Sequence, residues 1–235
     1  SPDPGDHKTH PAIIWITGGD SNTIGDVWSS RPISNDQTAS AFRQAGILMM
    51  FPSLRGGNTN PGYEEKFYGE VNDVVSAADF LASQPYVDTS RIYLGGHSTG
   101  GTLVLLVAQY AHRFRATFSF GPVADPTTYG PDFVLPFNRD DSKEVALRSP
   151  GKWLASIVSP TFVIEGEQSP SNLGPLTQMM QKSKSSAAHF LTVPGLSHFS
   201  VLAPVTKILA KKILQDQGET CNIKISPAEL AHLAP

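Results

Sequence analysis

Ser98 stands in a stretch whose pattern is typical of a serine nucleophile. The sequence Gly95-Gly96-His97-Ser98-Thr99-Gly100-Gly101 follows a strand-like run at residues 91–94 and precedes an apolar, helix-like run at residues 99–110. A sharp turn between strand and helix lifts a serine hydroxyl clear of a sheet and leaves no room for side chains beside it. Glycines on both sides of the serine meet that requirement, so the sequence predicts Ser98 as a nucleophile.

The nucleophile needs a base within hydrogen-bond distance, and His198 is the best candidate. The strand–turn–helix pattern is typical of the α/β-hydrolase fold, in which serine, acid and histidine follow in that order along the chain. Of the seven histidines, His198 lies just after the last predicted strand and just before the last long amphipathic helix. His97 lies inside the turn itself, and we interpret it as a residue that packs beside the catalytic groups or supports them from behind.

The acid that orients the histidine is expected after the strand at residues 161–165. The commonest pattern has an aspartate three residues beyond the glycine that ends this strand. Here that glycine is Gly166, and the third residue beyond it is Ser169. The usual aspartate is therefore absent.

Three carboxylates remain as candidates for the acid: Glu165, Glu167 and Asp125, the last of which follows the preceding strand. A glutamate is chemically adequate, because the acid only orients the imidazole and stabilises its protonated form. Glu165 ends an apolar strand, where a carboxylate without a partner is costly, and His198 could be that partner. We therefore predict Glu165, with Glu167 and Asp125 as alternatives.

Two backbone N–H groups are expected to bind the oxyanion that forms during acyl transfer. One belongs to Thr99, the residue after the nucleophile, at the start of a helix whose dipole favours negative charge. The other is assigned to Gly19 in the loop Thr17-Gly18-Gly19-Asp20, where glycine lets the backbone approach a substrate. The alternative for this loop is an ordinary turn.

The rest of the chain predicts an α/β fold with a mostly parallel central sheet and helices on both faces, because strand-like and helix-like runs alternate. Strands are predicted at residues 12–17, 47–51, 91–94, 116–120, 161–165 and 189–193. Ser34-Asn35-Asp36-Gln37 is interpreted as a capping box for a helix ending at Gly46, and Ser226-Pro227-Ala228-Glu229 as a second one.

Residues 1–235 are interpreted as a single domain with a long connection at residues 121–160. Connections in α/β proteins are usually much shorter. The connection contains Tyr129, Phe133, Phe137 and Trp153. We interpret it as a cap over the site, the alternative being a surface segment packed by its own aromatic side chains.

The sheet is expected to lack the first two strands of the α/β-hydrolase fold, because only ten mostly polar residues precede the first predicted strand. The apolar run at residues 47–51 then forms a sheet edge, which invites pairing with another chain. We predict either upstream residues that cover this edge or a homo-oligomer formed through it. Alternatively, residues 1–10 or the segment from Thr220 cover it.

Several stretches resemble the catalytic domain of the prolyl oligopeptidase family and its esterase-like relatives. They are Pro52-Ser-Leu-Arg-Gly-Gly57, residues 73–81, Val87-Asp-Thr-Ser-Arg91-Ile and Gly95-Gly-His-Ser98-Thr-Gly-Gly101. The resemblance extends from about residue 11 to residue 218 and implies that Ser98 and His198 are the triad serine and histidine. This chain departs from the family in having Ser169 at the position of the family aspartate and in containing no β-propeller.

These observations predict a serine hydrolase that cleaves carboxylic esters through an acyl-enzyme on Ser98, with no metal or organic cofactor. The expected partner is a small-molecule ester or a short peptide. A prolyl oligopeptidase-like peptidase or amidase is the first alternative. A non-catalytic binding protein with a hydrolase fold is the second, and the intact serine, histidine and glutamate argue against it.

Composition excludes several other classes of function. The net charge is −3 and no basic region is present, which argues against a nucleic-acid partner. No apolar stretch is long enough to span a bilayer, so no membrane partner is predicted. The single cysteine, Cys221, and the lack of a signal-peptide core at residues 1–10 favour a cytoplasmic location.

Overall fold

A six-stranded parallel sheet forms the centre of the computed structural model, which describes residues 1–233. The strands are β1 (His10–Ile16), β2 (Leu48–Met50), β3 (Val87–His97), β4 (Thr117–Phe120), β5 (Thr161–Gln168) and β6 (Ala188–Ser197). Their order in the sheet is β2-β1-β3-β4-β5-β6, and every neighbouring pair is parallel. All six predicted strands are present. Because the strands are parallel, the carboxyl ends of β3, β5 and β6 lie along the same side of the sheet.

Helices cover both faces of the sheet, as predicted. They are α1 (Ser40–Gln44), α2 (Gly69–Ala82), α3 (Thr99–Tyr110), α4 (Ser142–Leu147), α5 (Leu173–Lys182), α6 (Leu202–Gln215) and α7 (Pro227–Leu230). In β1, Ile13 and Trp15 belong to the apolar cluster that packs with α1 and α6. Ile14 and Ile16 belong to the cluster that packs with α2 and α3. Because alternate side chains meet opposite layers, this strand is apolar at nearly every position.

The predicted capping box before α1 is wrong. The carboxylate of Asp36 accepts hydrogen bonds from the backbone N–H and the hydroxyl of Ser40, both at 2.8 Å. The helix begins only after Ala39, whose φ is +47°. Gln37 cannot act as the second half of the box, because its side chain turns inward to His97 and Gly18.

The second predicted capping box is present. The Ser226 hydroxyl accepts from the N–H of Glu229, and the Glu229 carboxylate accepts from the N–H of Ser226 at 2.8 Å. The segment between α6 and this helix is held by Asp216, which is buried and accepts two bonds from Arg115, at 2.7 and 2.9 Å. The Tyr93 hydroxyl donates to the same carboxylate at 2.7 Å.

Strand β2 forms one edge of the described sheet, as the sequence predicted. At this edge Ser1 contacts Met49 twice: its hydroxyl accepts from the Met49 N–H at 3.1 Å, and its nitrogen donates to the Met49 carbonyl. Pairing of this edge with another chain stays a prediction. Among residues 1–233, no helix combines the length and the apolar character needed to cross a bilayer.

The long connection at residues 121–160 contains α4 and three short 3-10 turns. Its aromatic residues Tyr129 and Phe133 stack with Phe67 from the loop before α2. The Tyr129 hydroxyl is 2.7 Å from that of Thr102, one turn into α3. The connection therefore packs beside α3, the helix that follows Ser98, and its role as a cap stays a prediction.

Candidate active site

Ser98 occupies a strained turn between β3 and α3. Its φ is +56° and its ψ is −115°, a conformation that non-glycine residues adopt only when the surroundings enforce it. The backbone N–H of Ser98 donates to the carbonyl of Phe120 at 2.8 Å, and its carbonyl accepts from the N–H of Thr102 at 2.8 Å. These bonds join the turn to β4 and to the first turn of α3.

The glycines around Ser98 are required by close backbone contacts. A Cβ on Gly96 would lie 2.6 Å from the carbonyl oxygen of Gly100. A Cβ on Gly100 would lie 2.2 Å from the carbonyl oxygen of Ile16, and one on Gly101 would lie 2.3 Å from that of Phe120. The turn thus has the tight packing expected of a nucleophile elbow.

Glu165 and His198 form a hydrogen-bonded pair at the same edge of the sheet. Glu165 lies near the end of β5, and His198 follows β6 directly. Nδ1 of His198 lies 2.8 Å from Oε2 of Glu165, and the glutamate is fully buried. Since Nδ1 donates to the carboxylate, Nε2 is left as the nitrogen that can accept a proton.

The buried carboxylate of Glu165 has two further donors. Its Oε1 accepts from the N–H of Gly166 at 2.7 Å, and its Oε2 accepts from the N–H of Asn172 at 2.9 Å. Such bonds offset the cost of burying a charge and fix the orientation of the carboxylate. The side-chain amide of Asn172 also donates to the carbonyl of Gly121 at 2.8 Å. Sequence reasoning missed Asn172, and no pattern around it signals this role.

The other two candidate acids are engaged elsewhere. Glu167 is exposed and accepts from the hydroxyl of Thr192 at 2.7 Å. Asp125 caps the 3-10 turn Pro126–Tyr129 by accepting from the N–H and the hydroxyl of Thr127, at 2.8 and 2.7 Å. Of the three carboxylates, the structure brings Glu165 to His198.

Ser98 is half-buried, and within residues 1–233 its hydroxyl makes no hydrogen bond to His198. Catalytic hydrogen bonds are often long without substrate and tighten only in the complex. The geometry therefore supplies a paired base and a strained serine at one sheet edge.

Two loops with backbone donors meet beside Ser98. The Thr99 hydroxyl donates to the carbonyl of Gly19 at 2.9 Å, which joins the start of α3 to the loop after β1. Gly19 has a φ of +79°, and a Cβ there would have no atom within 4 Å, so this loop borders open space. The N–H of Thr99 lies at the start of α3, where backbone donors are unpaired within the helix.

His97 packs directly against His198. His97 is fully buried, and its ring centre lies 4.4 Å from that of His198. Burial, and then the nearby His198, lower the pKa of His97 to about 3, so its ring is neutral near pH 7.

Arg55 is bound by Asp73 at 2.9 Å and by Glu65, which favours a structural role for its guanidinium group.

Nothing in the described part of the chain groups three or more histidine, cysteine, aspartate or glutamate side chains into a metal site. The parallel sheet, the strained serine turn and the buried glutamate–histidine pair after later strands define the α/β-hydrolase class.

The family follows from comparison with known proteins. The sequence profile described as "Prolyl oligopeptidase family" matches residues 33–208, which is more than half of the chain. The chain belongs to the prolyl oligopeptidase family of peptidases, the family that its sequence resembles.

One curated relative and two solved structures illustrate the similarity. Dipeptidyl-peptidase 5 of Porphyromonas gingivalis is 31% identical over 126 residues, which are 50% of this chain and 17% of the relative. The dipeptidyl peptidase 4 structure of the same species has a TM-score of 0.69 at 17% identity, over 89% of this chain and 32% of the other. The structure of a truncated carbohydrate esterase from gut microbiota has a TM-score of 0.64 at 16% identity, over 88% of this chain and 86% of the other.

The structural likenesses, at such low identity, show the α/β-hydrolase fold alone. This chain spans less than a fifth of the length of the curated relative named above. The activity of the whole protein is therefore a matter for proposal.

Proposed function

We propose that this chain catalyses hydrolytic acyl transfer with Ser98 as nucleophile, His198 as general base and Glu165 as the acid that orients His198. The observation that carries the proposal is the buried 2.8 Å contact between Nδ1 of His198 and Oε2 of Glu165. It leaves Nε2 of the histidine for the serine hydroxyl. A non-catalytic binding protein would have no need to bury this pair, which is costly unless fully bonded.

The reaction proceeds in two halves. In the first, Ser98 Oγ attacks the substrate carbonyl carbon while Nε2 of His198 takes the hydroxyl proton. The oxyanion is stabilised by the N–H groups of Thr99 and Gly19. Protonated His198 then gives its proton to the leaving group, and an acyl-enzyme on Ser98 remains. In the second half, His198 takes a proton from a water molecule whose oxygen attacks the acyl carbon. The bond from that carbon to Ser98 Oγ then breaks, His198 returns the proton to Oγ, and the free acid leaves.

Peptide amides are the substrate class that family membership favours, because the matching family and the curated relative are peptidases by name. Ester cleavage, predicted from the sequence, would use the same residues with an alcohol in place of an amine as leaving group. It stays a prediction, and a direct comparison of matched substrates separates the two.

Fluorophosphonate labelling tests the proposed nucleophile, because this reagent phosphonylates an activated serine. We expect wild-type protein to be labelled and Ser98→Ala to be unlabelled, with turnover reduced on the order of 10⁶-fold. Ser76→Ala, at an exposed position on α2, is the matched control and should behave as wild type. Unlabelled wild-type protein, or more than a few percent of activity in Ser98→Ala, would rule the assignment out.

A further inference from the structure

His97 makes one contact with the backbone of the proposed base and another with Gln37. Its Nε2 lies 2.9 Å from the carbonyl oxygen of His198, and its Nδ1 lies 2.8 Å from Oε1 of the Gln37 side chain. Its ring packs 4.4 Å from the ring of His198 and 5.7 Å from that of Phe199. Because His97 exposes no surface, it cannot itself contact a substrate.

The hydrogen positions on His97 follow from its partners. A neutral imidazole carries one N–H, and a carbonyl oxygen can only accept. The hydrogen must therefore lie on Nε2 and point at His198, which leaves Nδ1 as an acceptor. In the structure Oε1 of Gln37 faces Nδ1 and also accepts from the N–H of Gly18 at 3.2 Å. Exchanging the oxygen and nitrogen of this amide, which have nearly the same shape, gives Nδ1 a donor and gives up the contact with Gly18.

Gln37 is itself fixed by the core of the protein. Its backbone carbonyl accepts from the indole N–H of Trp15 at 2.9 Å, and Trp15 is almost completely buried in β1. The bridge from Trp15 through Gln37 and His97 therefore connects a rigid strand to the backbone of His198.

The His198 loop needs such a support because Glu165 fixes only one side of the ring. The contact with Glu165 holds Nδ1, and the N–H of His198 donates to the carbonyl of Pro170 at 2.8 Å. Within residues 1–233, the bond from His97 is the one made to the His198 carbonyl. Without it the His198 carbonyl, and so the backbone that carries the imidazole, loses its support on that side.

We infer that His97, held by Gln37, is a positioning residue that sets the direction of the His198 imidazole for proton transfer. This inference rests on the proposed function of Ser98 and His198. It specifies how a residue inside the turn, which the sequence indicates only as a packing or supporting residue, contributes to the chemical step.

Three substitutions of His97 separate its two contacts. In His97→Gln the longer amide can still reach the His198 carbonyl, whereas in His97→Asn the shorter amide can reach only Gln37. His97→Phe keeps the ring and loses both bonds. His189→Phe is the matched control, because His189 is an exposed histidine on β6, the strand that leads to His198.

The measurement is the rate of fluorophosphonate labelling, together with kcat and KM for a short-chain ester. Since a displacement of about 1 Å can reduce a rate about 10²-fold, we expect kcat to fall about 10- to 100-fold in His97→Phe and His97→Asn. KM should stay within about twofold, because no substrate contact is lost. His97→Gln should recover most of the loss, and His189→Phe should match wild type. Thermal unfolding identifies any variant whose fold is lost.

Two results would overturn the inference. One is a folded His97→Phe with wild-type kcat. The other is an equal loss in His97→Gln and His97→Asn, since a purely structural role would not distinguish the two amides. Wild-type protein that does not react with the fluorophosphonate overturns the proposed function, and this role of His97 with it.

Discussion

Gly121 offers a direct test of the glutamate–histidine pair, because it lies against both partners. A Cβ at this position would lie 2.4 Å from Cε1 and 2.5 Å from Nδ1 of His198, and 2.9 Å from Oε2 of Glu165. Ordinary contact begins at 3.4 Å, so Gly121→Ala forces a movement of about 1 Å. The glycine cannot easily yield, since its N–H donates to Ile164 at 2.8 Å and its carbonyl accepts from Asn172 at 2.8 Å.

The expected loss has two separable parts. A displacement of about 1 Å at the base predicts a fall in kcat/KM of about 10²-fold or more. The φ of +59° predicts a separate loss of unfolding free energy of about 1–2 kcal/mol, because an alanine side chain is strained there.

The control for Gly121→Ala is Gly46→Ala. Gly46 has a φ of +82°, and a Cβ there would meet no atom within 4 Å. The control should lose a similar amount of stability, about 1–2 kcal/mol, which is the cost of left-handed backbone for alanine, and keep its activity. The assay is steady-state hydrolysis of a short-chain ester together with urea unfolding of both variants. Equal activity in the two variants would refute the geometry proposed for His198 and Glu165.

Three further predictions address the acid, the substrate and the stability of the fold. Glu165→Gln should reduce kcat by about 10⁴-fold, because an amide cannot stabilise the imidazolium, while Glu167→Gln should stay near wild type; steady-state kinetics that reverse this order would reassign the acid. The ester specificity predicted from the sequence requires a higher kcat/KM for short-chain aryl esters than for prolyl or aminoacyl amides of matched size, and a large preference for the amides would instead support the peptidase activity that the family favours. Burial raises the pKa of Asp216, but bonds from Arg115 and Tyr93 outweigh it and lower that pKa from 3.8 to about 2. The ion pair therefore stabilises the fold above about pH 4, and this contribution is lost as the pH falls towards 2. Asp216→Asn should accordingly unfold about 2 kcal/mol more easily at pH 7 and show a flatter loss of stability in acid, and urea unfolding with an unchanged acid dependence would contradict this.

The sequence alone determined the features that depend on local chemistry. The glycine pattern around Ser98 predicted the turn, and the apolar run after it predicted α3 at residues 99–110, the range that the structure shows. The alternation of strands and helices predicted the parallel sheet, because strands buried on both faces are apolar throughout. These features can be predicted from the sequence because each depends on a few consecutive residues.

The choice between Glu165 and Glu167 depended on the sheet. Both residues lie in β5 two positions apart, where regular alternation would place them on the same face. The register of β5 against β6 is irregular between Gly166 and Gln168. Glu165 is therefore fully buried beside His198, and Glu167 reaches solvent.

Gln37 shows how a tertiary contact overrides a local motif. Its spacing from Ser34 is that of a capping box, which is a signal within four residues. In the structure its side-chain amide instead contacts the ring of His97, sixty positions away along the chain. Gly121 is similar. This position has no room for a side chain, but only because β5 and the loop after β6 place Glu165 and His198 against it. Local chemistry thus fixed which residues could react, and long-range packing decided which side chains hold them in place.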